Sequence, residues 1–365
     1  MKYIKELDSL RAFAVTLVII SHIHSLTYFK SFALGGIGVG FFFVLSGFLI
    51  TGILLHEKNK PDSSLGNTLK IFYSRRTLRI FPAYYLFLWI VYSLGNKQIV
   101  EHPFYFLFYG SNILFFKQAS YAGELSPTWS LAVEEQFYIT WPLLLLAVNK
   151  KYTKQVIIAG IIFSPLFKII VTVLCKVYGQ NSSLLGALMP SNIIYLLSGA
   201  YLAWLTIQKS NRLAQFTHFI IPILLIACYY VLHLVIHGAL LNSFLFQGVV
   251  TMVSVWIINL ILIRNKAGNS INWLKNKVMV YIGKISYGMY LYHTIAVSLL
   301  LSFMGNYNVL LQHPLTDFIV TYSCTFLVAS VSWFLFEKPI NSWKNKLSYG
   351  LLAKCEKEIT TSFEK

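Results

Sequence analysis

Three groups of ionisable residues lie within or at the edge of long apolar runs, where charge is costly and each such group is a candidate for chemistry. The first holds Asp8, Arg11 and His22. On an α-helix the spacing from Arg11 to His22 is three turns to within roughly 20°, so the two share one face about 16 Å apart along the axis. Asp8 is one turn from Arg11 and can pair with it. His22 is expected past the middle of the bundle, where an imidazole can accept a proton from a hydroxyl or receive an acyl group. His24 points about 200° away from His22, which makes His22 the preferred base over His24 and His293. The plainer reading of the same residues is an interfacial anchor and a helix-to-helix hydrogen bond.

Arg76 and Arg79 form the second group, one turn apart on one helical face. Guanidinium forks match phosphate oxygens, so an arginine pair at a bundle entrance suits a nucleotide-like ligand; ordinary positive-side anchoring is the alternative. The third group is Glu134 and Glu135, five and six residues after Trp129. Neighbours on a helix point about 100° apart, so one of the two is expected to face inward. A carboxylate there can orient a hydroxyl, support a histidine base or join a buried ion pair. Ser126 and Pro127 read as the cap of that helix. Tyr287, Tyr290, Tyr292 and His293 follow within seven residues and form either a polar seam or interfacial anchors. Gly35, Gly36, Gly38 and Gly40 lack phosphate-loop spacing and read as a close-packing surface. Glu337-Lys338-Pro339 is expected to end the last helix at the cytoplasmic surface.

The elements that carry these residues are fixed by composition. Of 365 residues, 56% are hydrophobic and 12% charged, with mean hydropathy +0.63. A soluble domain carries about 25% charged residues, and a spanning helix needs about 20 mainly apolar ones. Runs of that length begin near Leu10, Gly35, Thr77, Trp129, Val156, Pro190, Phe219, Leu240, Tyr281 and Thr316. The expectation is an all-α bundle of about ten spanning helices. It comprises one transmembrane domain over 1–345 and a short cytoplasmic tail over 346–365. The net charge of +17 sits in short loops, which argues for membrane orientation and against nucleic acid. On the ten-helix frame, 25 Lys and Arg side chains fall on the side of the N-terminus and 4 on the other, so both termini are expected in the cytoplasm. The aromatic segment from His102 to Phe116 is too short to span and is expected as an interfacial or re-entrant piece on the outer side. No cysteine pair has metal or redox spacing, and the basic, apolar N-terminus, lacking a small-residue cleavage site, reads as a retained helix.

In order along the chain, these segments resemble the acyltransferase 3 family. The resemblance rests on Leu7-Asp8-Ser9-Leu10-Arg11-Ala12 with His22, on Phe41 to Leu49, and on Arg76-Thr77-Leu78-Arg79. It continues with Trp129-Ser130-Leu131, Glu134 and Phe137-Tyr138, then Ser286-Tyr287 with His293, and Phe336 to Pro339. It implies transfer of an acyl group, usually acetyl, from acyl-CoA to a hydroxyl of a surface polysaccharide or lipid-linked glycan, across a bacterial-type inner membrane. On that reading Arg11, Arg76 and Arg79 hold the acetyl-CoA phosphates, His22 and Glu134 are catalytic, and Trp129, Tyr287 and His293 contact the acceptor. Membrane lipids are the other partner, and no metal is expected. The fused hydrolase-like domain of some members is not expected here, so any handover of the acyl group would go to a separate protein. A small-anion carrier lined by the same arginines and histidine is the competing reading, although the two related halves common in carriers are not seen. A non-catalytic scaffold is the third.

Overall fold

The computed structural model describes residues 3–23, 33–61, 64–210, 217–218, 220–235, 238–304 and 313–346, and those residues form helices with no strand among them. Ten of the described helices are 16 residues or longer. They are α1 (Lys5–His22), α2 (Leu34–Lys58), α3 (Leu65–Ser93), α7 (Thr128–Ala147), α8 (Thr153–Val177), α9 (Met189–Ile207), α10 (Ile220–Val235), α11 (Ala239–Lys266), α12 (Lys277–Met304) and α13 (Pro314–Ser332). Three short helices intervene after α3: α4 (Lys97–Glu101), α5 (Pro103–Leu107) and α6 (Ser111–Gln118). A π-turn over Trp333–Glu337 follows α13 and leads into α14 (Lys338–Ser342) and a 3₁₀ turn, Trp343–Lys346. Four helical stretches, Leu34–Lys58, Lys150–Val177, Ala239–Lys266 and Pro314–Ser342, are long and apolar enough to cross a membrane by length and composition. The protein is therefore a membrane protein. His24 and residues 347–365 of the expected tail lie outside the described residues.

Between apolar helices in lipid there is little hydrophobic drive, so contact depends on how closely backbones approach. Small residues supply that approach here. A Cβ on Gly199 of α9 would lie 1.9 Å from the Val44 carbonyl of α2, and one on Gly47 would lie 1.8 Å from the Leu196 carbonyl of α9. The glycine-rich start of α2 behaves as its composition predicted: a Cβ on Gly38 would meet the Ala14 carbonyl of α1 at 2.5 Å. Gly283 of α12 abuts the Asp8 carbonyl in the same way. The helices α1, α2, α9 and α12 thus form a tight inner group around which the rest pack. At its edge α8 leaves Ile162, Leu166, Ile169, Ile170 and Val173 exposed. Lys168, in the middle of α8, turns inward to donate to Ser243 Oγ at 3.0 Å and Gln247 Oε1 at 2.7 Å on α11.

The segment from His102 to Phe116 does not span; it is divided between α5, α6 and the turn joining them. It is tied down between α3 and α7. Tyr84 Oη and Tyr85 Oη donate to the Phe106 and Leu107 carbonyls at 2.8 and 2.9 Å, Tyr109 stacks on Tyr84 with centroids 4.2 Å apart, and Gln136 Nε2 donates to the Tyr109 carbonyl at 2.9 Å. Carbonyls at the end of α5 and in the turn before α6, which an isolated turn would leave open, thereby find donors.

The α2–α9 contact admits no side chain at its crossing. Gly199→Val is expected to lower the thermal midpoint of the purified protein sharply or abolish folded yield by size-exclusion chromatography. Gly66→Ala, where nothing lies within 4 Å, is expected to leave stability unchanged or raised.

Candidate active site

Three cavities lie in series through the inner group and share lining residues. The basal one, of about 670 Å³, opens at the end that holds the start of α1 and is lined by Asp8, Arg11, Arg75, Arg79, Lys284 and Lys344 among others. Arg11, Leu49 and Arg79 also line the central cavity, a throat of about 80 Å³. Val39 and Tyr290 line both the throat and a third cavity of about 210 Å³ at the opposite end. That outer cavity is walled by His22, Gly35, Gly36, Tyr121, Trp129 and His293.

The throat collects most of the residues singled out by spacing. Arg11 from α1, Arg76 and Arg79 from α3, Glu134 from α7 and Tyr287 from α12 all line it. Asp8 accepts a hydrogen bond from Arg11, as their one-turn separation predicted, and a second from Tyr3 Oη. Arg76 lies over the ring of Tyr138 with its Cζ 5.1 Å from the centroid, a cation–π contact that places the guanidinium beside α7. Glu134 accepts from Ser46 Oγ at 2.7 Å. Glu135 lines the throat as well, so the expectation that only one carboxylate faces inward is corrected: the cavity wraps α7 far enough to meet two residues 100° apart. One carboxylate oxygen of Glu135, Oε1, is closed off from solvent with no partner.

The three tyrosines of α12 form a seam and not a set of surface anchors. Tyr287 Oη donates to the Ile80 carbonyl at 3.2 Å, on the residue after Arg79 and two before Pro82, which lies inside α3. Tyr290 Oη bonds Ser130 Oγ, and Tyr292 Oη lies 3.1 Å from Ser332 Oγ. One turn of α12 thereby pins α3, α7 and α13 at the throat.

The outer cavity holds the imidazoles. His22 and His293 are in contact, with ring centroids 4.7 Å apart and planes at 70°. The sequence treated them as alternatives; the fold makes them neighbours. His22 Nδ1 is 2.9 Å from the Val18 carbonyl and His293 Nδ1 is 2.6 Å from the Tyr290 carbonyl. A carbonyl oxygen only accepts, so Nδ1 carries a proton in both rings, and Nε2 is the nitrogen left to act as base in the neutral ring. His22 is the final residue of α1, Ile23 is already extended, and the His22 side chain is exposed, whereas His293 is fully buried.

The sequence-predicted groupings divide between cavities. His22 and Glu134 do not meet: one is in the outer cavity and the other in the throat. Of the residues assigned to the acceptor, Trp129 and His293 are in the outer cavity and Tyr287 in the throat. Trp129 stands edge-on to Phe43, with centroids 6.2 Å apart. Ser126 does not cap α7, since its hydroxyl donates to the Gly123 carbonyl and Pro127 occupies the cap position. Nearby, in the 3₁₀ turn Gly123–Leu125 that precedes α7, Glu124 Oε1 accepts from Ser298 at 2.6 Å and its Oε2 from Asn96 at 3.0 Å. Burial alone raises the Glu124 carboxyl, but those two donors and its backbone bond outweigh it and hold the group below the ordinary carboxylate value.

Sequence reasoning placed Glu337 at the surface, and this is also corrected. Glu337 is only 6% exposed because the π-turn inserts an extra residue per turn and swings it inward, where it accepts from Ser332 Oγ at 2.9 Å. Ser46 was missed as a site residue, while Glu135 and Tyr290, both named as candidates, carried no assigned role; the signal for Glu135 was a second charge in an apolar run. Removing the donor to a shielded carboxylate costs about 1–3 kcal/mol. Ser46→Ala is therefore expected to lower the thermal midpoint of the detergent-purified protein, and Ser46→Thr, which keeps the hydroxyl, to lower it less.

A family profile described as acyltransferase domain matches residues 4–336. The peptidoglycan O-acetyltransferase OatA of Listeria monocytogenes is 30% identical over 367 residues, covering 93% of this chain and 56% of OatA. A provisionally named O-acetyltransferase of Staphylococcus aureus strain COL is 31% identical over 93% of this chain and 57% of its own length. A provisionally named peptidoglycan O-acetyltransferase of Bacillus subtilis, YrhL, is 32% identical over 93% and 55%. The chain thus spans just over half the length of these relatives. No solved structure matches it. With the profile covering residues 4–336, every residue that lines the throat and the outer cavity included, the chain belongs to the acyltransferase 3 family of membrane acyltransferases.

Proposed function

We propose that this protein is a multi-pass O-acyltransferase that takes an acyl group, acetyl in the first instance, from cytoplasmic acyl-CoA and delivers it to a hydroxyl of a cell-envelope glycan such as peptidoglycan. The observation that carries this reading is the cavity series, with a basic chamber at one end, an arginine–carboxylate throat, and an imidazole pair at the other. Both reactants are large and polar, and each needs its own entrance to a shared reacting centre. The basic chamber suits CoA phosphates, and the narrow throat suits the thin arm that bears the thioester. The names of the relatives support a glycan acceptor.

In this mechanism Arg11, Arg76 and Arg79 hold the phosphates of the donor, whose thioester end reaches through the throat toward His22. His22 Nε2 removes the proton of the acceptor hydroxyl. That oxygen attacks the carbonyl carbon, the C–S bond breaks, and CoA thiolate leaves. An alternative order in which His22 first carries the acyl group uses the same atoms. His293, held to the Tyr290 carbonyl, orients His22, while Trp129 stacks on the acceptor. Glu134 and Glu135 counterbalance the arginines. The ten-helix frame, with both termini in the cytoplasm, belongs to the same proposal. It puts the chamber inside and the imidazoles outside.

Loss of a general base costs roughly 10²–10⁴-fold in rate. His22→Ala is expected to reach the membrane in normal amount yet fail to acetylate envelope glycan, as read by mass spectrometry of released glycan, while His24→Ala retains most transfer. Near-normal acetylation by His22→Ala would overturn this mechanism. For topology, single cysteines at Lys117 and Lys266 in a cysteine-free background are expected to label from opposite faces with an impermeant thiol reagent; labelling of both from outside would refute the frame.

A further inference from the structure

The family profile ends at residue 336, but the chain continues to build the basal chamber beyond it. After Ser332 the π-turn, α14 and the final 3₁₀ turn fold into a hook, and Trp333, Asn341 and Lys344 of this hook line the chamber. The hook is anchored from inside. Glu337 Oε1 accepts from Ser332 Oγ, Ser332 is bonded in turn to Tyr292, and the same oxygen would lie 3.1 Å from a Cβ on Gly288 of α12. A Cβ at 288 would crowd that carboxylate by a few tenths of an ångström, so the hook packs closely on the turn of α12 that also lines the throat.

The charge of the chamber is unbalanced. Its lining carries Arg11, Arg75, Arg79, Lys284 and Lys344, against Asp8 and Glu57 as carboxylates. Both carboxylates are engaged, Asp8 with Arg11 and Glu57 with Lys60. Burial lowers the Lys344 ammonium from its ordinary value, and the nearby Arg79, Arg75 and Arg76 lower it further. Like charges held around one void repel each other, and a polyanion in that void relieves the repulsion. Asn341 supplies a further sign of a ligand: its Oδ1 is shut off from solvent without a hydrogen-bond partner.

We propose that this hook is the nucleotide-binding wall of the donor chamber and that Lys344 grips a phosphate at the nucleotide end of CoA. The inference rests on the donor reading above and adds a residue outside the family match. The chamber is concave and continues into the throat through Arg11, Leu49 and Arg79, so a ligand held by phosphate at Lys344 can send its thioester end inward. A phospholipid headgroup offers the same phosphate chemistry but would leave the throat empty.

The test is binding to the purified protein in nanodiscs, made once with zwitterionic and once with anionic lipid, using CoA, 3′,5′-ADP and pantetheine as separate probes. Lys344→Gln is expected to weaken CoA and 3′,5′-ADP about tenfold and leave pantetheine unchanged, with Lys344→Arg restoring most of the loss. Equal weakening of pantetheine, or no change with any probe, overturns the assignment. An effect on 3′,5′-ADP seen only in anionic nanodiscs assigns Lys344 to lipid and overturns it too. Absence of CoA binding by the unsubstituted protein overturns the donor reading itself, which a loss confined to Lys344→Gln does not touch.

Discussion

Charge buried among apolar helices is the constraint on which the rest of this structure depends. Removing an ion from water costs several kcal/mol, and it is recovered only where partners and geometry are fixed in advance. The throat gathers three guanidinium groups and two carboxylates, and the surrounding architecture holds them apart and in place. Ser46 donates to Glu134, Tyr138 lies under Arg76, Asp8 accepts from Arg11, and Tyr287 pins the backbone beside Arg79. None of these partners is on the same helix as the group it serves except Asp8. The charges therefore impose a relative setting on α1, α2, α3, α7 and α12 that apolar packing by itself would leave adjustable.

Glycine contacts make that setting rigid. Where Gly47 and Gly199 bring α2 and α9 to backbone contact, and Gly38 and Gly283 seat α1 between α2 and α12, little sliding is possible without a clash. Interior packing is close to that of a crystal and responds to displacement in steps, not smoothly. The most polar part of the bundle is thus bordered by its least compliant part.

Much of this was legible in the sequence wherever it depended on local periodicity. The phase of Arg11 with His22, the Asp8–Arg11 pair, the Arg76–Arg79 face and the packing role of the glycines all follow from helix geometry over a few turns. Features that depend on tertiary register were not legible. The contact of His22 with His293 joins the end of α1 to the middle of α12, far apart in the chain. The inward turn of Glu337 comes from a single extra residue in a π-turn, which no 3.6-residue pattern reports. Glu135 reaches the throat because a cavity has breadth, whereas a helical wheel assigns each residue one direction. The exposure of His22 follows from where α1 stops, and boundaries are the weakest part of any reading by periodicity.

The partition between the throat and the outer cavity is thin, with Val39 and Tyr290 lining both, and the throat is the smallest of the three cavities at about 80 Å³. A wider passage would join the two ends by a continuous water column, along which protons and small ions would run down their electrochemical gradient. On the proposed orientation an aliphatic side chain and a hydrogen-bonded phenol stand between the two cavities, where they would limit such a column while polar molecules enter from either end.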